Sequence, residues 1–255
     1  MGKPRVAIFD FACCEGCQLQ IVNMEEEILQ LLSLVEPVEW REAISDQSQD
    51  YDIAIIEGSI TRPEDEARVK AIRQRAKVLG AIGACATLGG VNKLKNSFDL
   101  QEAARCVYGK ASEMPHLAGA IYPAKAVREV VPVDFEVQGC PMTRREFAYA
   151  IKCLVMGTRP VTPNYPVCVE CKMRETVCRY EYNEICLGVI TRAGCNAPCP
   201  AGGLWCFGCR GLVDDPNVNA AKDIMDKYGK TVDDLRSRMQ LFNNTHPEVH
   251  PCPRL

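Results

Sequence analysis

Arg5-Val-Ala-Ile-Phe-Asp-Phe-Ala-Cys-Cys-Glu-Gly-Cys-Gln-Leu19 is the stretch from which the fold is read. Its first seven residues form a short apolar run, suited to a strand buried on both faces. Cys13, Cys14, Gly16 and Cys17 follow where that strand would turn into a helix, and glycine gives such a turn room beside a bulky ligand. Beyond them Ile21, Met24, Ile28, Leu31 and Val35 recur at helical spacing. Glu25, Glu26 and Glu27 lie mostly off that stripe, so the spacing predicts one amphipathic helix after the first strand.

The alternation continues down the chain. Val38–Glu42 and Tyr51–Ile56 read as the second and third strands, the latter ending at Glu57-Gly58-Ser59. Pro63 opens a helix with Glu64, Asp65 and Glu66 in its first turn and Arg73, Arg75 and Lys77 near its end, matching the helix dipole. Val78–Ala84 reads as a fourth strand, Glu129–Val137 as a fifth and Arg144–Met156 as a closing helix. Strands alternating with helices predict an α/β fold: a flavodoxin-like, doubly wound parallel sheet over residues 1–158. From residue 159 to 255 the texture changes. Pro160, Pro163 and Pro166 mark a linker, glycine and proline are frequent, and periodicity is weak until a polar, helical stretch from Asn217 to Phe242. A loop-rich segment of this kind needs bound metal to organise it.

Composition narrows the function. The 255 residues carry 47% hydrophobic and 25% charged side chains and a net charge of -3, which gives no sign of a nucleic-acid partner. The longest uncharged stretch, Val78 to Asn92, is too short and too glycine-rich to span a bilayer. The unusual number is 16 cysteines. The chain starts Met-Gly-Lys-Pro-Arg and enters a strand at once, without a signal h-region or twin-arginine leader, so the expected address is the cytoplasm, where thiols stay reduced and bind metal.

Their positions form three sets. Cys14, Cys17, Cys85 and Cys140 fall at predicted strand C-termini, which a parallel sheet brings to one edge, the region where open α/β sheets bind ligands. Four thiolates there suit one iron–sulfur cubane. Cys168, Cys171, Cys178 and Cys186 make a second set, and Cys195, Cys199, Cys206 and Cys209 a third, eight thiols within 42 residues. Structural zinc also takes four thiolates, and buried cysteine also serves as apolar filler. The two isolated residues of the first set, one followed by Pro141, favour a cluster over paired zinc knuckles.

With these residues in view, the chain resembles the small, electron-transferring subunit of [NiFe] hydrogenases. The match is carried by Cys14-Glu-Gly-Cys17-Gln-Leu19, Glu57-Gly58-Ser59, Gly83-Ala-Cys85, Gly139-Cys-Pro141 and the eight cysteines from Cys168 to Cys209. It runs through roughly residues 5 to 212 and looks most like the cytoplasmic sulfhydrogenase and methyl-viologen-reducing group. The resemblance implies a proximal [4Fe–4S] cluster on Cys14, Cys17, Cys85 and Cys140, facing the nickel–iron site of a large subunit. It implies a distal cluster on Cys168, Cys171, Cys178 and Cys186, and a medial one on Cys195, Cys199, Cys206 and Cys209. Three [4Fe–4S] cofactors, a hydrogenase large subunit and further electron-accepting subunits of flavin, NAD(P) or disulfide-reductase type follow as expectations. So does a role as an oxidoreductase component with no acid, base or nucleophile of its own.

Two alternatives stay open at this level. Tandem Cys13-Cys14 is similar to the related cluster subunit of respiratory complex I, which uses neighbouring cysteines and lacks the eight-cysteine extension. A zinc-stabilised binding module is the other. Of the cysteines outside the three sets, Cys106 and Cys153 fall in helical segments as core filler, and Cys252 lies in the tail. Glu57-Gly58-Ser59 is expected near the large-subunit interface or as an ordinary strand–helix connection, and Glu15 is a candidate proton or interface group or a solvated glutamate. Arg144-Arg145 could dock a partner or cap a solvated helix, and His116, His246 and His250 have no ligand spacing.

Overall fold

A computed structural model describes residues 2–110 and 121–244. His116, His246, His250 and Cys252 lie outside the described residues. Five strands, β1 (Arg5–Asp10), β2 (Glu36–Trp40), β3 (Ile53–Glu57), β4 (Val78–Ile82) and β5 (Phe135–Val137), form one sheet in the order β2-β1-β3-β4-β5. Every neighbouring pair is parallel. This is the flavodoxin-like order, and both faces are covered because successive residues along each strand point to opposite sides. Val6, Ile8, Ile53, Ile55 and Ile82 enter one core with Ile21, Leu31, Phe147 and Ile151. Ala7, Phe9, Ala54, Ile56, Leu79 and Ala81 enter the other with Val69 and Ile72.

The helices of this half are α1 (Gly16–Val22), α2 (Glu26–Leu34), α3 (Pro63–Arg75), α4 (Gly83–Leu88), α5 (Leu100–Tyr108) and α6 (Arg144–Val155). The single helix expected after β1 is in fact two. The chain breaks at Asn23–Glu25, with Glu25 at φ 54, while Ile21, Met24 and Leu31 stay buried. A break that preserves the apolar stripe leaves no mark in hydrophobic spacing. The fifth strand is much shorter than expected. Val127–Glu129 is a 3-10 turn, Pro132 lacks the N–H that a strand would donate, and the Asp134 carboxylate accepts the Leu79 N–H at 2.7 Å. β4 stops at Ile82 because Gly83, at φ 78, turns the chain into α4.

The C-terminal part contains α7 (Val167–Met173), the four-residue α8 (Pro198–Ala201), α9 (Val218–Lys227) and α10 (Val232–Asn243). The helical stretch expected from Asn217 to Phe242 is interrupted after Lys227. Gly229 takes φ 62, and the Thr231 hydroxyl then caps α10 by accepting the Asp234 N–H while the Asp234 carboxylate accepts the Thr231 N–H. A small core of Val167, Tyr180, Leu187, Ile190, Met225 and Leu235 incorporates Cys186 and Cys206. α10 reaches back to the first half, where Asn244 Nδ2 donates to Ser97 Oγ at 2.6 Å.

Two contacts position the loop after β1. Glu57 ends β3, is 2% exposed, and its carboxylate accepts the N–H groups of Cys17 (2.9 Å) and Gln18 (3.0 Å) at the start of α1. Gln18 is equally buried, with its Oε1 accepting from Trp40 Nε1 at 2.9 Å. The Glu57→Ala variant leaves two buried donors unpaired and should lose about 2–4 kcal/mol, read from its urea midpoint. Gln at the same position should recover part of the loss. Elsewhere in the sheet, a Cβ at Gly80 would fall 2.1 Å from the Phe135 ring. Gly80→Val should therefore cost about 3 kcal/mol by overpacking, seen as a lower melting temperature, and Phe135→Leu in the same chain should return some of it.

Candidate metal centres

The first set assembles from three loops at the C-terminal edge of the sheet. After β1 the chain pairs with the end of β3, Phe11 N–H donating to Glu57 O at 2.8 Å and Ala12 N–H to Ser59 O at 3.2 Å. Glu15 then takes the left-handed conformation, φ 60, and α1 begins at Gly16. A Cβ on Gly16 would sit 3.2 Å from Cys14 Sγ, one on Gly83 2.4 Å from Cys17 Sγ, and one on Gly90 2.9 Å from Cys85 Sγ. Glycine backbone thus lines three of the four sulfurs, with space for nothing larger. Ala84 N–H donates to Gly139 O at 2.7 Å and ties the Cys85 segment to the Cys140 turn. Cys85 lies in the first turn of α4 rather than at a strand end, three residues past β4.

Burial pushes the Cys85 thiol up to about 12, and the neighbouring Cys140 and Cys14 sulfurs and Glu57 add to the shift. Cys17 is raised by burial and then by Glu57, and Cys140 by burial, Cys14 and Glu57. Thiols that hinder one another's ionisation are what a cationic centre must offset on binding. Cys13 points elsewhere. Its Sγ donates to Phe11 O (3.3 Å) and Glu15 Oε1 (3.2 Å), and with Glu15 and Glu57 it forms a separate cluster of ligand-type atoms within 4.8 Å of one another. Glu57 is internal, so it acts on α1 and not on a surface.

The second set lines one cavity with Val167, Tyr180, Gly188 and Ile224. α7 carries Cys168 and Cys171 one turn apart, Cys178 precedes a 3-10 turn, and Cys186 starts the next. A Cβ at Gly188 would lie 3.5 Å from Cys186 Sγ and 3.6 Å from Cys168 Sγ. Burial raises the Cys168 thiol to about 12, with Cys186, Cys178 and Cys171 contributing. Cys195, Cys199, Cys206 and Cys209 line another cavity of about 420 Å³, which Cys140 and Pro141 also border. Burial pushes Cys209 up to about 12, the backbone N–H of Cys140 pulls it down, and Cys195, Cys140 and Cys199 raise it.

The sets therefore touch in order. Cys140 of the first set borders the cavity that Cys209 of the third lines, and its backbone lowers the Cys209 thiol, while Cys206 of the third donates its N–H to Cys186 Sγ of the second at 3.1 Å. Soft thiolates, cavities lined by them and backbone donors to sulfur together fit iron–sulfur ligation.

Several supporting residues escape a reading of the sequence. Glu170, between Cys168 and Cys171, is 8% exposed and accepts the N–H groups of Gly194 (2.9 Å) and Asn196 (2.8 Å) around Cys195. Asn243 on α10 donates to Gly208 O at 2.8 Å, beside Cys209. Arg210 is buried in an ion pair with Glu146 of α6. Charged residues beside cysteines read as surface in a sequence, and only their burial gives them away. Arg144 is used internally, Nη1 donating to Asn23 O at 2.7 Å, while Cys153 is buried filler and Cys106 is exposed.

Comparison with known proteins matches residues 14–154 to the family described as NADH ubiquinone oxidoreductase, 20 Kd subunit. Sulfhydrogenase 2 subunit delta of Pyrococcus furiosus is 36% identical over 87% of this chain and 92% of its own length. A subunit of the F420-non-reducing hydrogenase vhu of Methanocaldococcus jannaschii is 29% identical over 94% of this chain and 93% of its own. Among solved structures, an NAD+-reducing [NiFe]-hydrogenase in the H2-reduced state aligns with a TM-score of 0.57 at 26% identity, covering 64% of this chain and 96% of that one. The chain belongs to the NADH ubiquinone oxidoreductase 20 Kd subunit family and, within it, to the small subunits of [NiFe] hydrogenases of sulfhydrogenase type.

Proposed function

We propose that this chain conducts electrons through three [4Fe–4S] clusters, between a nickel–iron site on a large subunit and further redox subunits. As an iron–sulfur oxidoreductase component of a hetero-oligomeric hydrogenase it already stands in an electron-transfer role. The observation that carries the finer reading is that Cys140 borders the cavity of the third set and that Cys206 of the third set donates its N–H to Cys186 of the second. It supports the reading in which Cys14, Cys17, Cys85 and Cys140 are the proximal ligands. Cys195, Cys199, Cys206 and Cys209 are then medial, and Cys168, Cys171, Cys178 and Cys186 distal. Domains of residues 1–158 and 159–255 go with this division.

A bound cluster supplies one-electron chemistry at each site. The chain's own part is to ligate, to bury and to donate backbone N–H bonds to sulfur, the levers that set a potential. Cys14 and Cys140 are exposed, and Leu19 and Val22 on α1 are 47% and 40% exposed, which suits cover by a large subunit. At the other end Val169, Met173 and Val177 are exposed apolar residues around the second set, a suitable landing for an electron-accepting subunit of flavin, NAD(P) or disulfide-reductase type. Cysteines kept for ligation suit a reducing, cytoplasmic compartment, and among the described residues no helix is long and apolar enough to cross a membrane.

Purified anaerobically with its large subunit, the chain should contain about twelve iron and twelve sulfide ions and absorb broadly near 400 nm, bleaching with dithionite. About four of each would leave one cluster and support a complex-I-like coupling role, and stoichiometric zinc in a colourless protein would reject electron transfer. Cys14→Ser should remove or convert one cluster, lowering iron by about one to four per chain, whereas Cys13→Ser should leave iron unchanged. Equal loss in the two variants would make Cys13 a ligand.

A further inference from the structure

The residue after Cys209 is an arginine with 1% of its surface exposed. Its guanidinium reaches three pieces of chain. Nε donates to the carbonyls of Arg192 (3.2 Å) and Ala193 (2.8 Å). Nη1 donates to the Gln138 carbonyl (2.7 Å) and Glu146 Oε2 (2.8 Å), and Nη2 to Glu146 Oε1 (2.5 Å). The first pair of carbonyls leads directly into Cys195, Gln138 lies two residues before Cys140, and Arg210 itself is bonded to Cys209. One rigid planar group therefore fixes two thiols of the third set against one of the first.

The packing around it admits no side chain at Gly194. That glycine takes φ 119, and a Cβ there would fall 2.3 Å from Arg210 Nη2 and 2.4 Å from Glu146 Oε1. Stability alone does not call for this arrangement. Burying an ion pair costs several kcal/mol per ion, and apolar side chains of similar volume often replace such pairs without loss. Lysine could not reproduce the fork, because its ammonium is a compact point charge. What a buried arginine adds is a fixed distance and a fixed positive charge. Arg210 itself borders the cavity that Cys195, Cys199, Cys206 and Cys209 line, so its charge lies beside those sulfurs.

We propose that Arg210 is the positioning residue of the passage between the first and third thiol sets, holding Cys140 at a set separation from Cys195 and Cys209 and raising the reduction potential of the centre they help to bind. This rests on the three-cluster reading above. Tunnelling slows steeply as the gap between centres widens, so a loosened joint slows electron passage even when every ligand is present. A positive charge next to a centre favours its reduced, more negative form, so loss of that charge lowers the potential. Glu146 opposes the charge and should act with the opposite sign.

The test uses the complete complex with its large subunit, carrying wild-type chain, Arg210→Met, Arg210→Lys or Glu146→Gln. Iron per chain, the three midpoint potentials from an EPR-monitored titration, and the rate at which the second set becomes reduced after rapid mixing are measured on each. Arg210→Met should lower the potential of the third-set centre and slow the passage about tenfold or more, in the range seen when a residue supporting a ligand is lost. Arg210→Lys should restore the potential and leave the passage slow, and Glu146→Gln should move the potential upward. Potentials unmoved in Arg210→Met with full iron, or moved in the same direction in Arg210→Met and Glu146→Gln, would overturn the assignment. Fewer than three titrating centres in the wild-type complex would instead refute the three-cluster reading itself.

Discussion

Thiolates crowded in fours repel one another, and burial makes each harder to ionise. Much of this structure follows from keeping such groups together. Cys85, Cys168 and Cys209 are all held near a pKa of about 12 by burial and by their neighbours. A cationic centre relieves that repulsion, so the free energy of binding metal becomes free energy of folding for the loops that supply the ligands. The need is greatest in the C-terminal part, whose apolar core counts Cys186 and Cys206 among its members.

The two halves meet the constraint differently. In the first, a parallel sheet with two full cores brings the loops after β1, β4 and β5 to one edge. Glycines at 16, 83 and 90 then let backbone approach sulfur. In the second, no sheet does this work among the described residues. Carboxylates and amides take its place: Glu170 gathers the N–H groups around Cys195, and Asn243 holds the Gly208 carbonyl. The Arg210–Glu146 pair joins the halves where Cys140 and Cys209 meet.

For a hydrogenase small subunit, this division makes physical sense. A centre's potential depends on the bonds and charges immediately around its sulfurs, while passage between centres depends on their separation. Rigid elements set the first well, as at Glu57, which orders α1 through two N–H groups. Separation depends on contacts that cross from one half to the other, such as those of Arg210 with Glu146 and the Gln138 carbonyl.

How much of this was legible beforehand differs by residue. Alternating apolar runs and helical spacing were enough for the parallel sheet, because burial on both faces demands continuous apolar strands. Cysteine spacing suggests three groups of four. The break at Asn23–Glu25 was invisible, since the stripe of buried residues runs straight through it. The early turn at Gly83 and the retreat of β5 depended on one positive φ and one carboxylate bond to Leu79. Neither the order of the three groups nor the direction of Cys13 follows from spacing. Those rest on which N–H meets which sulfur, and on Glu15 and Phe11 taking the Cys13 thiol. The sequence by itself determined the parallel α/β sheet and where the thiols fall along the chain. Only the tertiary structure decided their row, because residues such as Cys140 and Cys209, or Glu146 and Arg210, are far apart in the chain and become neighbours only when the second half folds onto the first.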